Sequence, residues 1–372
     1  MLLLAAINAF VMMAAAVALF AFGGASFQTA SHVAFALGIL PLILAAIAYF
    51  VPVLTRGAGG PRSIDAMAFC AWAGGVLIVA GLSGLIAFTA ASYGAALLAG
   101  TAGLITLFWI RHRAKKTLGK PHPGLPWYVA ALVFLVLAIV AVPLMLLWPE
   151  QRTALRLFHV HANLLGFVGL TAIGTLQVLL PTVLGRPDPE ASRRLQRDLR
   201  FSVAGAALIA VGAAWSAPLA LAGAACYLVA PLRMGGFWLA RFAAEMRRKN
   251  SAGSALALSC LALVVLTAAG VLHAYHWLSG RDAVVAFVVA FLLPLVSGAA
   301  TQLLPVWLRP GPQGEWHSRL RSALARFSGW RSLLLTAGGL AVAFGWPAGL
   351  WLAGFGLALV LAAFAGSLRY LR

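Results

Sequence analysis

Residues 161–186 read HANLLGFVGLTAIGTLQVLLPTVLGR. A histidine opens the stretch, an arginine closes it, and no charged side chain lies between them. As a helix rising 1.5 Å per residue it runs roughly 39 Å, enough to cross a hydrocarbon core of about 30 Å. Comparable runs recur along the whole 372-residue chain, which is 63% hydrophobic and 9% charged, with mean hydropathy +0.96. A soluble domain is closer to half apolar and a quarter charged. Inside a bilayer no water can satisfy backbone N–H and C=O groups, so each run must be helical. The expected fold is an all-α polytopic membrane protein of about twelve transmembrane helices. The spans are read at 2–23, 32–54, 65–83, 92–111, 127–148, 159–184, 201–217, 219–240, 253–275, 283–308, 331–345 and 347–368.

The opening stretch has two counterparts. The second span reads His32-Val33-Ala34, then Pro41, then Tyr49-Phe50-Val51-Pro52-Val53-Leu54-Thr55-Arg56. The tenth reads Pro294, then Gln302-Leu303-Leu304-Pro305-Val306-Trp307-Leu308-Arg309. Pro52, Pro181 and Pro305 recur at intervals of 129 and 124 residues; His32 to Pro52 and His161 to Pro181 are both 20 residues; Pro41/Pro52 and Pro294/Pro305 are both 11 apart. Proline and arginine at a helix end are ordinary stop and anchor signals, but equal His-to-Pro spacing is not part of that signal. The chain therefore reads as one transmembrane domain, 1–372, of three pseudo-repeats of four helices at about 1–120, 121–250 and 251–372.

The net charge of +19 invites a nucleic-acid partner, and its placement excludes one. Of 27 lysines and arginines, 23 fall in the loops after spans 2, 4, 6, 8 and 10 and at the C-terminus. Arg152, Arg156 and Arg281 lie in the opposite loops, and Arg233 lies within span 8. This is the positive-inside bias, which is expected to place both termini in the cytoplasm and the basic loops against anionic lipid. The first span lacks a basic leader and is expected to be retained. Cys70, Cys226 and Cys260 stand singly in spans and read as packing residues. No Gly-x-x-x-x-Gly-Lys-Ser/Thr loop occurs, so no nucleotide site is expected.

That topology gathers five of the eight histidines at the outer side: His32, His159, His161, His273 and His276. His112, His122 and His317 fall in basic loops and read as solvated. His159 and His161 differ by about 200° around a helix, so they serve different sides of it, whereas His273 and His276, three apart, should share a face. Neutral imidazole suits haem iron, copper and zinc. Glu150 and Asp282 are the only carboxylates on that side, which argues against Mg²⁺ or Ca²⁺. An interfacial hydrogen-bonding role is the competing account for each histidine, most of all for His273 and His276 beside Tyr275 and Trp277. The polar residues Asn8, Thr171, Thr175, Gln177, Ser297, Thr301 and Gln302 are expected to bond between helices, and Arg233 to snorkel to the surface.

On these residues the chain resembles the haem–copper oxidase subunit I fold and, more loosely, the NnrS-type haem- and copper-containing membrane proteins. The shared features are twelve helices with inside termini, arcs of four, and histidines in the outer half. The resemblance implies low-spin haem on His32 in the second helix, and two centres served from opposite faces of one helix by His159 and His161. In the oxidases the His-x-His pair lies on helix 10, and helix 7 carries a His-His copper pair; here His-x-His opens span 6, and spans 7 and 8 hold no histidine. The resemblance thus implies a haem b or copper centre in a membrane oxidoreductase with a redox or nitric-oxide-related role and a redox partner, rather than full oxygen reduction. A transporter or permease, or a non-catalytic membrane subunit or assembly factor, are the other readings open to the sequence.

Overall fold

The computed structural model describes residues 1–186, 188–248 and 250–370, and among them the only regular secondary structure is helical. In chain order the helices are α1 (Leu2–Phe22), α2 (Phe27–Leu54), α3 (Arg62–Leu82), α4 (Phe88–Lys115), α5 (Leu125–Leu147), α6 (Pro149–Leu184), α7 (Ala191–Trp215), α8 (Ala217–Met246), α9 (Ala252–Ala274), α10 (Gly280–Leu308), α11 (Glu315–Leu324), α12 (Ser328–Ala343) and α13 (Gly349–Tyr370). Eleven of these are long and apolar enough to cross a bilayer. Helix α12 has 16 residues, about 24 Å at helical rise, and falls short of the usual span length. The break before α13 around Trp346-Pro347 lies where the sequence placed it.

Most boundaries match the hydropathy reading, and the misses share a cause. Helix α7 begins ten residues before its expected start at 201, and α6 begins ten before 159. Both extensions, residues 191–200 and 149–158, carry arginines that a hydropathy window excludes. A helix does not stop where the bilayer does, since amphipathic turns continue it into the interface.

Contacts divide the chain into two compact units. The first comprises Met1–Leu19, Gly23–Thr175 and Pro189–Ala230; the second comprises Phe20–Phe22, Leu176–Asp188 and Pro231–Arg372. In the second, Leu176, Leu179 and Leu180 pack with Met234, Trp238, Phe242, Met246, Leu256 and Cys260.

The least expected local feature is a π-helical segment in α2, α6 and α10: Val33–Ile39, Ala162–Gly169 and Phe287–Leu292. These segments begin 19, 19 and 18 residues before Pro52, Pro181 and Pro305. Each offers a backbone carbonyl to a polar side chain of another helix. Asn8 donates to Leu37 O (2.5 Å), Tyr227 to Leu165 O (3.0 Å) and Thr336 to Ala290 O (3.3 Å).

Two of these bonds have a direct cause in the sequence. Pro41 has no N–H to give Leu37, four residues back, and Pro294 has none to give Ala290. A buried carbonyl left so is costly, and Asn8 and Thr336 supply the missing donor. Neighbouring backbones approach these segments closely. A Cβ on Gly75 of α3 would lie 2.7 Å from Ala36 O, and one on Gly339 of α12 would lie 2.6 Å from Ala290 N. Small residues permit that approach, which drives helix association where lipid removes the hydrophobic effect.

The other intramembrane hydroxyls combine bonds within their own helix with the expected bonds between helices, the latter at Thr175 and at Thr301, which accepts from Arg331 of α12. Thr171, Thr175 and Thr301 bond to carbonyls four residues back on their own helices, and Ser297 to one three back. This is the back-bonding that hydroxyl side chains adopt when mid-helix. Thr175 also pairs with Tyr128 (3.0 Å). Arg233 is exposed.

Candidate functional site

His32 closes the first turns of α2, directly before the Val33–Ile39 π segment, and His161 stands directly before Ala162–Gly169. A π turn inserts about one extra residue, which rotates everything before it by roughly 100° relative to everything after. The histidines therefore point where these bulges aim them. Such bulges are frequent at functional sites.

In the first unit this brings His32 and His159 together. Their ring centroids are 6.5 Å apart and their planes are inclined by 19°. His32 Nδ1 bonds Gln28 O at 2.8 Å, and His159 Nδ1 bonds Ala138 O of α5 at 2.8 Å. A carbonyl can only accept, so both protons sit on Nδ1 and both Nε2 atoms present a lone pair. Asn163 Nδ2 lies 3.5 Å from His159 Nε2 and also bonds His159 O at 2.9 Å, which places a donor beside that lone pair. Helix α5 comes close enough to hold His159 because α6 has glycines against it. A Cβ on Gly174 would lie 2.7 Å from Trp127 Cβ, and one on Gly166 would run into the Phe134 ring.

The remaining histidines are placed as follows. His161 bonds Leu157 O through Nδ1 at 2.8 Å. His273 and His276 belong to the second unit, and their expected shared face does not form. Helix α9 ends at Ala274, and His276 takes a left-handed backbone (φ 60) in the turn beyond it, exposed. His273 bonds Leu278 O at 3.2 Å, with its ring packed where a side chain on Gly280 would go, so it braces that turn. The i, i+3 rule presumed a helix that had already stopped.

Two of the three histidines read as solvated are not. His317 is 6% exposed on α11; it accepts from Gly314 N–H and its Nε2 bonds Arg309 O at 2.9 Å. His122 is half-buried and accepts from Gly124 N–H, and desolvation holds its imidazole below the usual pKa. His112 is exposed as expected.

Among the described residues, no three His, Cys, Asp or Glu side chains form a metal-holding group. The donor set therefore does not offer a closed four-ligand zinc or copper site. It does fit a centre needing two imidazoles from the protein, as a haem iron does when the porphyrin supplies its other four ligands. No protein-family model matches the chain, and no curated protein matches it.

Proposed function

We propose that the chain is a multi-pass membrane protein of the bacterial inner membrane that holds a haem b centre, or a two-coordinate copper, between His32 and His159. Its role in this reading is electron transfer or nitric-oxide-related redox chemistry rather than full oxygen reduction. The observation that carries the reading is the pair itself: two near-parallel imidazoles from separate helices, each with Nδ1 tied to a backbone carbonyl, so that Nε2 is the ring nitrogen with a lone pair, that of His159 facing the Asn163 amide at 3.5 Å.

When bound, such a group supplies one-electron exchange with a redox partner. The residues of the chain do the rest. Gln28 O and Ala138 O hold the Nδ1 protons, which fixes the tautomer and raises ligand basicity, the usual outer-shell role. Asn163 bonds the His159 backbone carbonyl at 2.9 Å, which braces the turn that carries the imidazole, and its amide would give up the 3.5 Å contact with Nε2 when the group is bound. His32 and His159 would be the residues that hold such a group.

The test is to purify the full chain from cells supplied with iron and copper, then record its optical spectrum, pyridine haemochrome and metal content. The reading predicts about one haem or one copper per chain. A colourless, metal-free protein that is monodisperse would remove it.

A further inference from the structure

The second unit contains a charge that the redox site does not use. Arg331 lies one turn into α12 and is fully buried, at 0% exposure. Its Nη2 bonds Thr301 Oγ1 of α10 and its Nη1 bonds Arg326 O, both at the long distance of 3.3 Å. Its Nε has no partner, and no carboxylate among the described residues pairs with it. Buried arginines are ordinarily paired, because an isolated buried charge is among the most costly groups a protein can hold.

Its surroundings have the same polarity. Ser328 and Ser332 flank Arg331 on the buried face of α12, are themselves 0% exposed, and carry hydroxyls with no hydrogen-bond partner. Across from them, Thr301 already gives its hydroxyl proton to Ser297 O and so receives the guanidinium N–H. All of this lies in the first turns of a 16-residue helix, where the macrodipole adds roughly half a positive charge. A guanidinium, two unpartnered hydroxyls and a helix N-terminus share one need, a negative charge that accepts hydrogen bonds.

We infer that Ser328, Arg331 and Ser332, with the guanidinium positioned by Thr301, bind one small monovalent inorganic anion of about the size of chloride. One guanidinium calls for one negative charge. Complete burial favours an ion small enough to be enclosed over the headgroup of a lipid. The two serine hydroxyls and Arg331 Nε supply donors that nothing in the protein satisfies.

The experiment is thermal unfolding of the purified full chain in detergent, followed by tryptophan fluorescence. Chloride is titrated against gluconate at constant ionic strength. In the wild type Tm rises saturably, by roughly 2–4 °C. Arg331→Met abolishes that dependence. If Arg331→Met does not fold, Ser332→Ala and Thr301→Val each raise the half-saturating chloride concentration at least about threefold. A wild-type Tm equal in chloride and gluconate overturns the proposal, as does a chloride response unchanged in these variants. So does a Tm that responds only to added anionic phospholipid, which would assign the cluster to a headgroup phosphate. None of these outcomes depends on haem or copper content.

Discussion

At the level of single residues, the proposed site depends on where individual protons sit. His32 and His159 present Nε2 because carbonyls of Gln28 and Ala138 occupy Nδ1. Replacing either histidine by alanine should lower bound haem or metal at least about tenfold in preparations whose size-exclusion profile is unchanged. Asn163→Leu, which leaves both ligands in place, should weaken cofactor retention by roughly tenfold, the scale of an outer-shell loss. His122 gives a pH prediction of definite sign. Its folded pKa lies below the unfolded value near 6.5, so its contribution to stability is complete above that pH. The contribution is lost as pH falls below 6.5 towards the folded pKa. His122→Gln should therefore flatten the fall in Tm between pH 7 and pH 5; an identical pH profile would contradict this. The sequence led to His32 and His159 through position alone, at the outer ends of apolar runs. Hydropathy alone did not show that Arg331 would be buried, because an arginine opening the apolar segment 331–345 reads as one more cytoplasmic anchor. The signal was present in the spacing of Ser328, Ser332 and Thr336, which line one face of α12 with Arg331.

At the element scale, the π segments set α2, α6 and α10 apart from the other spans. Hydropathy could not reveal them, since a π turn and an α turn use the same apolar residues. The prolines were legible, and their consequence is physical: Pro41 and Pro294 strip Leu37 and Ala290 of a donor that Asn8 and Thr336 replace. Asn8→Leu and Thr336→Val should each destabilise the protein by about 1–3 kcal/mol, the penalty of an unsatisfied buried carbonyl. Denaturant or thermal unfolding in detergent measures it, and a change within error would show that the carbonyl finds another donor. Deleting one residue within Val33–Ile39 should restore an α-helical turn and swing His32 by about 100°. The expected result is loss of the cofactor with unchanged circular dichroism and membrane insertion. Retention of the cofactor in that variant would separate the bulge from the site. Gly75→Leu places a side chain against Ala36 O and should disturb the same segment by overpacking, at about 1–3 kcal/mol.

At the scale of the whole molecule, the all-helical, multi-pass fold was legible from composition alone, because a bilayer admits few alternatives. What composition left open is whether α12, at 16 residues, crosses. The arginines on both sides of α12 and α13 predict that it does, so that the C-terminus shares a side with the loop carrying Arg319 and Arg321. Reporter fusions after Arg309 and at the C-terminus should report the same compartment; opposite compartments would leave eleven crossings and break the fourfold arcs. The recurrence of π segments before Pro52, Pro181 and Pro305 adds a backbone feature to the threefold period read in the sequence. The claim on which the functional account turns is that His32 and His159 hold one cofactor between them. A reduced-minus-oxidised optical difference spectrum of the purified chain and of its His32→Ala and His159→Ala variants tests it most directly. The account predicts a bis-imidazole haem signature, or stoichiometric copper in its place, that both substitutions remove. A signal equally strong in both variants, or a featureless wild-type spectrum with no bound metal, would contradict it.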